Sequence, residues 1–202
     1  MKEISEELRA ENREEIIAAL RDTERKGVDD LIAYMDEAGF FEAPCSTQYH
    51  LSCEGGLAQH SLHVCNTIIG LARQLCITEF PRYHTLVIVG LLHDLGKVGD
   101  RYKPMYVENV LKKTGKRSES KPYVSNPDLL YIPHEVRSIA IAERFISLTE
   151  EEEHAILFHN GMYSELKYSY QGKEQMLDLL LHFADMWCSR ITEKEEGSTA
   201  DE

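Results

Sequence analysis

Apolar residues recur at helical spacing over most of the chain. Ile4, Leu8, Ile16, Ile17 and Leu20 mark one face of an amphipathic helix over residues 3–22, which Gly27 breaks. A second helix is expected over 29–38, ended by Gly39. Residues 40–56 have no helical period and carry Pro44 and the Gly55–Gly56 pair, so this segment reads as irregular. Helical patterning resumes over 57–75. It returns over 85–95, where an apolar run leads into His93 and Asp94 and stops at Gly96. Residues 134–147 read as another helix. Thr149 and Glu152 form a capping box for the next, which runs to about His159 and stops at Asn160–Gly161. The last helix is expected over 173–191, with Leu177, Leu180, Leu181, Ala184 and Trp187 on it. Residues 106–111 and 117–124 suggest two strands, paired around Lys113-Thr114-Gly115-Lys116. The pattern predicts an all-α bundle with a small β-hairpin insertion near 106–124.

Composition agrees. The chain has 202 residues, enough for one domain with a small helical extension. Glycine and proline number only 12 and 6, which favours long helices over a loop-rich fold. The start, MKEISEELRAENREE, has neither the basic head nor the apolar stretch of a signal peptide. No apolar run approaches the roughly 20 residues of a membrane span. A cytoplasmic protein without membrane contact is therefore expected. Cys45, Cys53, Cys65, Cys76 and Cys188 are odd in number and form no CxxC pair, so they read as reduced thiols, mostly core filler.

Charge is unevenly spread. The net charge is −13, which argues against nucleic-acid binding over the whole surface. Between Lys97 and Lys121, however, eight basic residues face three acidic ones. That segment is +5 and the rest of the chain −18, so the basic island is the natural place for a phosphate-binding surface.

The strongest local signal is Leu91-Leu92-His93-Asp94-Leu95-Gly96-Lys97. Ionisable groups at the end of an apolar helix are costly unless paired or bound to metal. Adjacent helical residues point about 100° apart, so both reach one ion only near a helix end or where several helices converge. A capping aspartate beside a chance histidine is the plainer alternative. His60 lies near the start of another apolar helix, and Asp185 is an acid inside Leu180-Leu181-His182-Phe183-Ala184-Asp185-Met186-Trp187. Two imidazoles and two carboxylates suit a divalent ion such as Mn, Fe, Co, Ni or Zn. Lys97 follows Asp94 by about one turn, so on that spacing it can face the same side, and a solvated lysine after a helix-ending glycine is the plainer alternative.

With EGGLAQHSLHV (54–64), VGLLHDLGK (89–97) and LLHFADMW (180–187) in this order, the chain resembles the HD superfamily of metal-dependent phosphohydrolases over roughly residues 40–190. Within it, APCSTQYHLSCEGGLAQHSLHV is similar to the HD domain of YhaM-type exoribonucleases and to small bacterial and phage HD proteins. The resemblance implies an HD domain over 40–192, which leaves the helical extension at 1–39, and the acidic, small-residue tail over 193–202 reads as disordered from its composition. It implies further ligands at His134 and His159, giving the set His60, His93, Asp94, His134, His159 and Asp185. Two ions would then share Asp94 as a bridge. A single ion would leave His134 as a helix cap and His159 as a helix-dipole partner. His50, in the resembling segment, is a candidate substrate contact. His63 is expected to pack or hydrogen-bond beside the site, and His154 to lie on the surface.

The implied reaction is hydrolysis of a nucleotide-like phosphate ester, a small nucleotide or a short oligonucleotide. An ion lowers the pKa of bound water from about 15.7 toward 7. Asp94 and Lys97 are the expected catalytic residues. Lys97, His50, Lys112, Lys116, Arg117 and Tyr123 are the expected substrate contacts, the hairpin acting as a lid and Tyr123 either stacking on a base or packing as an ordinary aromatic. Two other readings stay open: a di-iron oxygenase on the same fold, and a non-catalytic nucleotide-binding module. The N-terminal helices would pack on the core or form a homodimer contact.

Overall fold

The computed structural model describes residues 3–77 and 83–194. The fold is all-α, with eight helices and one two-stranded antiparallel hairpin among the described residues. Helix α1 (Glu6–Asp22) begins after Ser5, whose hydroxyl accepts the Leu8 N–H at 3.2 Å, and its first turn carries Glu6 and Glu7. Gly27, with φ of 89°, opens α2 (Val28–Glu37). The expected irregular stretch leads into α3 (Gly56–Gln74), the central helix, which packs on α1, on α4 (Tyr83–Leu92) and on α8 (Met176–Trp187).

Two apolar clusters share α3 and α4. One joins Ile16, Leu20, Leu31 and Met35 to Leu57, Val87 and Leu91. The N-terminal helices thus pack into the same core as the central pair. The other joins Val64 and Ile68 to Ala155, Ile156, Leu177, Leu181 and Ala184. At the α3–α4 crossing, a Cβ on Gly90 would stand 2.7 Å from Cys65 Cα. Only glycine allows that approach, and it is the approach that brings the end of α4 beside His60.

Several helix ends differ from those expected, each for a local reason. Helix α4 stops at Leu92, leaving His93 and Asp94 beyond its last turn, and Leu95–Val98 form a 3₁₀ turn. Helix α5 (His134–Ala142) ends before 147: beyond it the Arg144 and Phe145 N–H groups bond only three residues back, to the Ile141 and Ala142 carbonyls, and the Ser147 carbonyl accepts Arg25 Nη1 at 2.7 Å. Helix α6 (Glu150–Phe158) has the expected capping box between Thr149 and Glu152. A short helix not apparent from the sequence, α7 (Lys167–Tyr170), follows. Helix α8 starts at Met176, where Gln175 and Asp178 cap it, and continues into a wider π-helical turn, Cys188–Thr192.

The hairpin is shorter than its pattern suggested. Strand β1 (Tyr106–Glu108) pairs with β2 (Tyr123–Ser125), and the ladder then gives way to an isolated bridge between Val110 and Arg117. Asn109 bonds both Pro122 and Ser118, so residues 119–121 loop out between them. The hairpin rests on the 40–56 segment through the Tyr123 N–H, which donates to the Thr47 carbonyl at 3.2 Å. The expected disordered tail does not begin at Glu193, which is buried; its part from 195 to 202 lies outside the described residues. No described helix is long and apolar enough to cross a membrane.

Gly90→Ala is expected to destabilise the protein by about 1–3 kcal/mol through overpacking against Cys65. Urea unfolding checks this, with a lowered midpoint and an unchanged slope.

Candidate metal centre

The six residues singled out as ligands converge from five places in the chain. His60 comes from the first turns of α3, His93 and Asp94 from the end of α4, and His134 from the first residue of α5. His159 caps α6, and Asp185 lies in α8. His93 and Asp94 both reach the centre because the helix has already ended.

Asp94 is the hub. Its Oδ2 lies 3.5 Å from His60 Nε2 and 3.4 Å from His93 Nε2. Its Oδ1 lies 3.2 Å from His134 Nε2 and 3.6 Å from His159 Nε2. Each carboxylate oxygen therefore faces its own pair of histidines. Asp185 Oδ1 joins the first pair, 3.1 Å from His60 Nε2. His60, His93 and Asp185 form one close donor group, and His93, Asp94 and His159 another.

The tautomers follow from the outer contacts. His93 Nδ1 is 2.9 Å from the Gly90 carbonyl and His159 Nδ1 is 2.8 Å from the Ile156 carbonyl. A carbonyl only accepts, so each Nδ1 carries the proton and each Nε2 presents a lone pair inward. His60 Nδ1 similarly faces the Glu193 carboxylate at 2.9 Å. Among the described residues, His60 Nε2, His93 Nε2 and Asp94 Oδ1 are buried and make no hydrogen bond, the carboxylate and imidazole atoms around them notwithstanding. His134 Nε2 and His159 Nε2 stand 3.3 Å apart. Buried lone pairs facing one another are expensive unless a cation lies among them. This donor set, all imidazole nitrogen and carboxylate oxygen, could hold divalent ions.

Charge at the centre agrees. Burial opposes the ionised form of Asp94, yet Lys97 and His93 outweigh it and hold its pKa well below the usual carboxylate range. Burial, reinforced by His93, lowers His159 to about 4, so it is neutral as a ligand must be. Burial also opposes a charge on His60, but Cys45, Glu193 and Asp185 prevail and raise its pKa well above the ordinary value. The groups that draw a proton to His60 would also draw a cation, which replaces that proton on binding.

Lys97 lies closer to the hub than its spacing alone suggested. Its Nζ is 2.6 Å from Asp94 Oδ2 and 13% of its side chain remains exposed, so it holds the carboxylate while staying partly open to solvent. Gly96 fixes this turn on α5: its N–H donates to Ser138 Oγ at 2.7 Å. The same hydroxyl lies 2.8 Å from the His93 carbonyl. A Cβ on Gly96 would stand 2.8 Å from Ser138 N, with the His134 carbonyl closer still.

The expected substrate residues divide. His50 lies beside the centre, its ring 5.0 Å from that of His60 and its Nε2 3.3 Å from Cys45 Sγ. Lys112, Lys116 and Arg117 are exposed, and among the described residues no side-chain hydrogen bond or ion pair holds Lys112 or Lys116. Arg117 covers one face of the Tyr123 ring, 4.4 Å from its centroid, and so occupies a face expected to stack on a base. Tyr106, which the sequence did not mark, is close enough to Lys97 and Asp94 for both charges to act on its phenol.

Glu193 is the main residue that sequence reasoning missed. Its carboxylate meets His60 Nδ1 and also His63 Nδ1, at 2.9 Å each. It follows Asp185 by eight residues, about two helical turns, and that spacing was the available signal. His63 completes the support by bonding Gln59 at 2.7 Å, as its place one turn from His60 suggested. Asn160 and Glu135, linked at 2.7 Å, tie the end of α6 to the start of α5. His182 Nδ1 meets the His159 carbonyl at 2.7 Å. His154 is only partly exposed, with its Nδ1 3.8 Å from the buried Asp178.

No protein-family model, curated protein or solved structure matches the chain. The helical fold with its buried histidine–aspartate groups is compatible with an HD domain.

Glu193→Ala is expected to weaken divalent-ion binding roughly 10–100-fold by releasing His60, and Glu193→Gln by less. Titration calorimetry on metal-stripped protein measures both. Burial would raise the Glu193 pKa, but His60 and then His63 hold it at about 2, below its ordinary 4.5. The stabilisation it provides is therefore complete above pH 4.5 and lost as pH falls toward 2. Acid unfolding of the metal-free Glu193→Gln protein should show a flatter limb across that window.

Proposed function

We propose that the protein is a metal-dependent phosphohydrolase of the HD superfamily that acts on a nucleotide-like phosphate ester. The observation that carries this reading is the division of Asp94, each of whose oxygens faces a separate pair of histidines. Such an arrangement would suit two divalent ions, with Asp94 available to both, His60, His93 and Asp185 as donors on one side and His134 and His159 on the other. Divalent ions, when bound, supply an acidified water and neutralise charge on phosphoryl oxygens.

The chain's own groups do the rest. Lys97 keeps Asp94 ionised and oriented, and its partly exposed ammonium offers a positive contact to a phosphate oxygen. The Tyr106 phenol stands at the same edge, with Lys97 and Asp94 within electrostatic reach. The exposed Lys112, Lys116 and Arg117 extend the basic island beyond it and favour an anionic substrate. His50 is neutral at ordinary pH, its pKa lowered to about 4 by burial and by His60. It would contact substrate as a hydrogen-bonding group and not as a cation.

The test uses metal-stripped protein reloaded with Mn, Fe, Co, Ni or Zn, assayed on generic phosphodiesters, nucleoside monophosphates, cyclic and dinucleotides and short RNA. Hydrolysis should need metal and be lost in Asp94→Ala. Lys97→Ala should retain metal and lower kcat/KM about tenfold to a hundredfold, as expected for a lost charged hydrogen bond. Alanine at Lys112, Lys116 and Arg117 together should raise KM about tenfold at low salt with little change in kcat, because steering charges act mainly on encounter. Oxygen consumption by the iron-loaded protein, without phosphate release under any metal, would replace this reading with the oxygenase.

A further inference from the structure

The segment between α2 and α3 carries two donors that the histidine–aspartate set does not use. Cys45 Sγ and His50 Nε2 are 3.3 Å apart, and with His60 they form a third close donor group. Cys45 is fully buried. His60 also belongs to the main centre, and among the described residues its buried Nε2 makes no hydrogen bond. A sulfur and two imidazoles around one point are therefore continuous with an established cluster of unpaired lone pairs.

The backbone holds this arrangement. The Cys45 N–H donates to the Leu51 carbonyl at 3.0 Å, closing the segment on itself. Ser46 Oγ donates to the His50 carbonyl at 2.8 Å and accepts the Tyr49 N–H at 3.0 Å. A Cβ on Gly56 would meet Cys45 N at 3.1 Å, so the closed turn sits directly on the start of α3, the helix that carries His60. Cys45 and His50 thus face each other and His60 from fixed backbone positions. The Lys97 ammonium lies 3.8 Å from Sγ, where it would offset part of the charge of a thiolate formed on metal binding.

We propose that Cys45, His50 and His60 form a sulfur-containing subsite for a borderline or soft divalent ion, such as Zn or Co, adjoining the nitrogen–oxygen centre. Thiolate and imidazole together favour such ions over Mg or Mn, which prefer oxygen. On binding, the Sγ–H bond breaks as the Sγ–metal bond forms, and the proton passes to solvent. Cys45 then belongs to metal chemistry and not to core filling, and the 40–56 segment becomes part of the site. His60 Nε2 has one lone pair and serves one ion at a time, so the subsite and the histidine–aspartate centre draw on it alternately, and the subsite does not depend on the proposed reaction.

Cobalt titration of the full-length protein separates the outcomes. Co(II) bound to thiolate absorbs in the near ultraviolet, whereas nitrogen and oxygen ligands give only weaker visible bands. The wild type should show both. Cys45→Ser should lose the near-ultraviolet band and keep the visible ones, and His50→Ala should shift or weaken the near-ultraviolet band. Circular dichroism verifies that each variant is folded; should Cys45→Ser not fold, the His50→Ala spectrum decides. A near-ultraviolet band that survives in folded Cys45→Ser, or is unchanged in His50→Ala, overturns the proposal. Visible bands alone in the wild type overturn the subsite and leave the main centre standing. Absorbance in neither region, with no cobalt retained, overturns both.

Discussion

Asp94 is a carboxylate taken almost completely out of water, and a charge in that position must be met on every side. Lys97 meets one oxygen directly. The remaining directions are filled by imidazole nitrogens whose protons already point away, to Gly90, Ile156 and Glu193. Lone pairs facing a carboxylate do not stabilise it. The arrangement makes electrostatic sense around positive charge, whether protons in the ion-free protein or divalent ions when they are present.

Most of the surrounding architecture serves to keep that cluster dry and in register. Helix α3 lies between two apolar clusters and delivers His60 from a fully buried face. Gly90 lets α4 approach α3 closely enough for its end to meet that histidine. Gly96 and Ser138 then clamp the following turn to α5, which sets His134 opposite the far oxygen of Asp94. These contacts lie in the packing between elements, so the precision of the centre depends on the core as a whole. The π-helical turn after α8 plays a related part. It carries the chain on past Asp185 so that Glu193 ends beneath His60, and π-helical turns often occur where such placement matters.

The basic hairpin follows a different logic. Its ladder is short, its tip is exposed, and it is joined to the 40–56 segment by few bonds. Elements of that kind open more easily than a packed core, and binding loops are commonly drawn from them. A rigid buried centre thus lies beside a loosely held cationic arm, with Tyr106 at the junction.

The sequence by itself determined the helical fold, the capping box of α6 and the convergence of His60, His93, Asp94 and Asp185. Each of those rests on periodicity, or on ionisable residues placed where burial would be costly without partners. His134 and His159 came through resemblance, and the structure places both on the far oxygen of Asp94. Tertiary structure alone decided where helices stop. It ended α5 at Ala142, where the Arg144 and Phe145 N–H groups turn back three residues, and it set the following stretch against Arg25, distant in sequence, through the Ser147 carbonyl. It alone brought Glu193 under His60, since an acidic residue entering an acidic tail reads locally as solvated. It alone set Cys45 against His50, because a buried cysteine has the same local signature whether it fills a core or faces a cation. Local pattern records which residues must leave water; only the packed chain determines which of them meet.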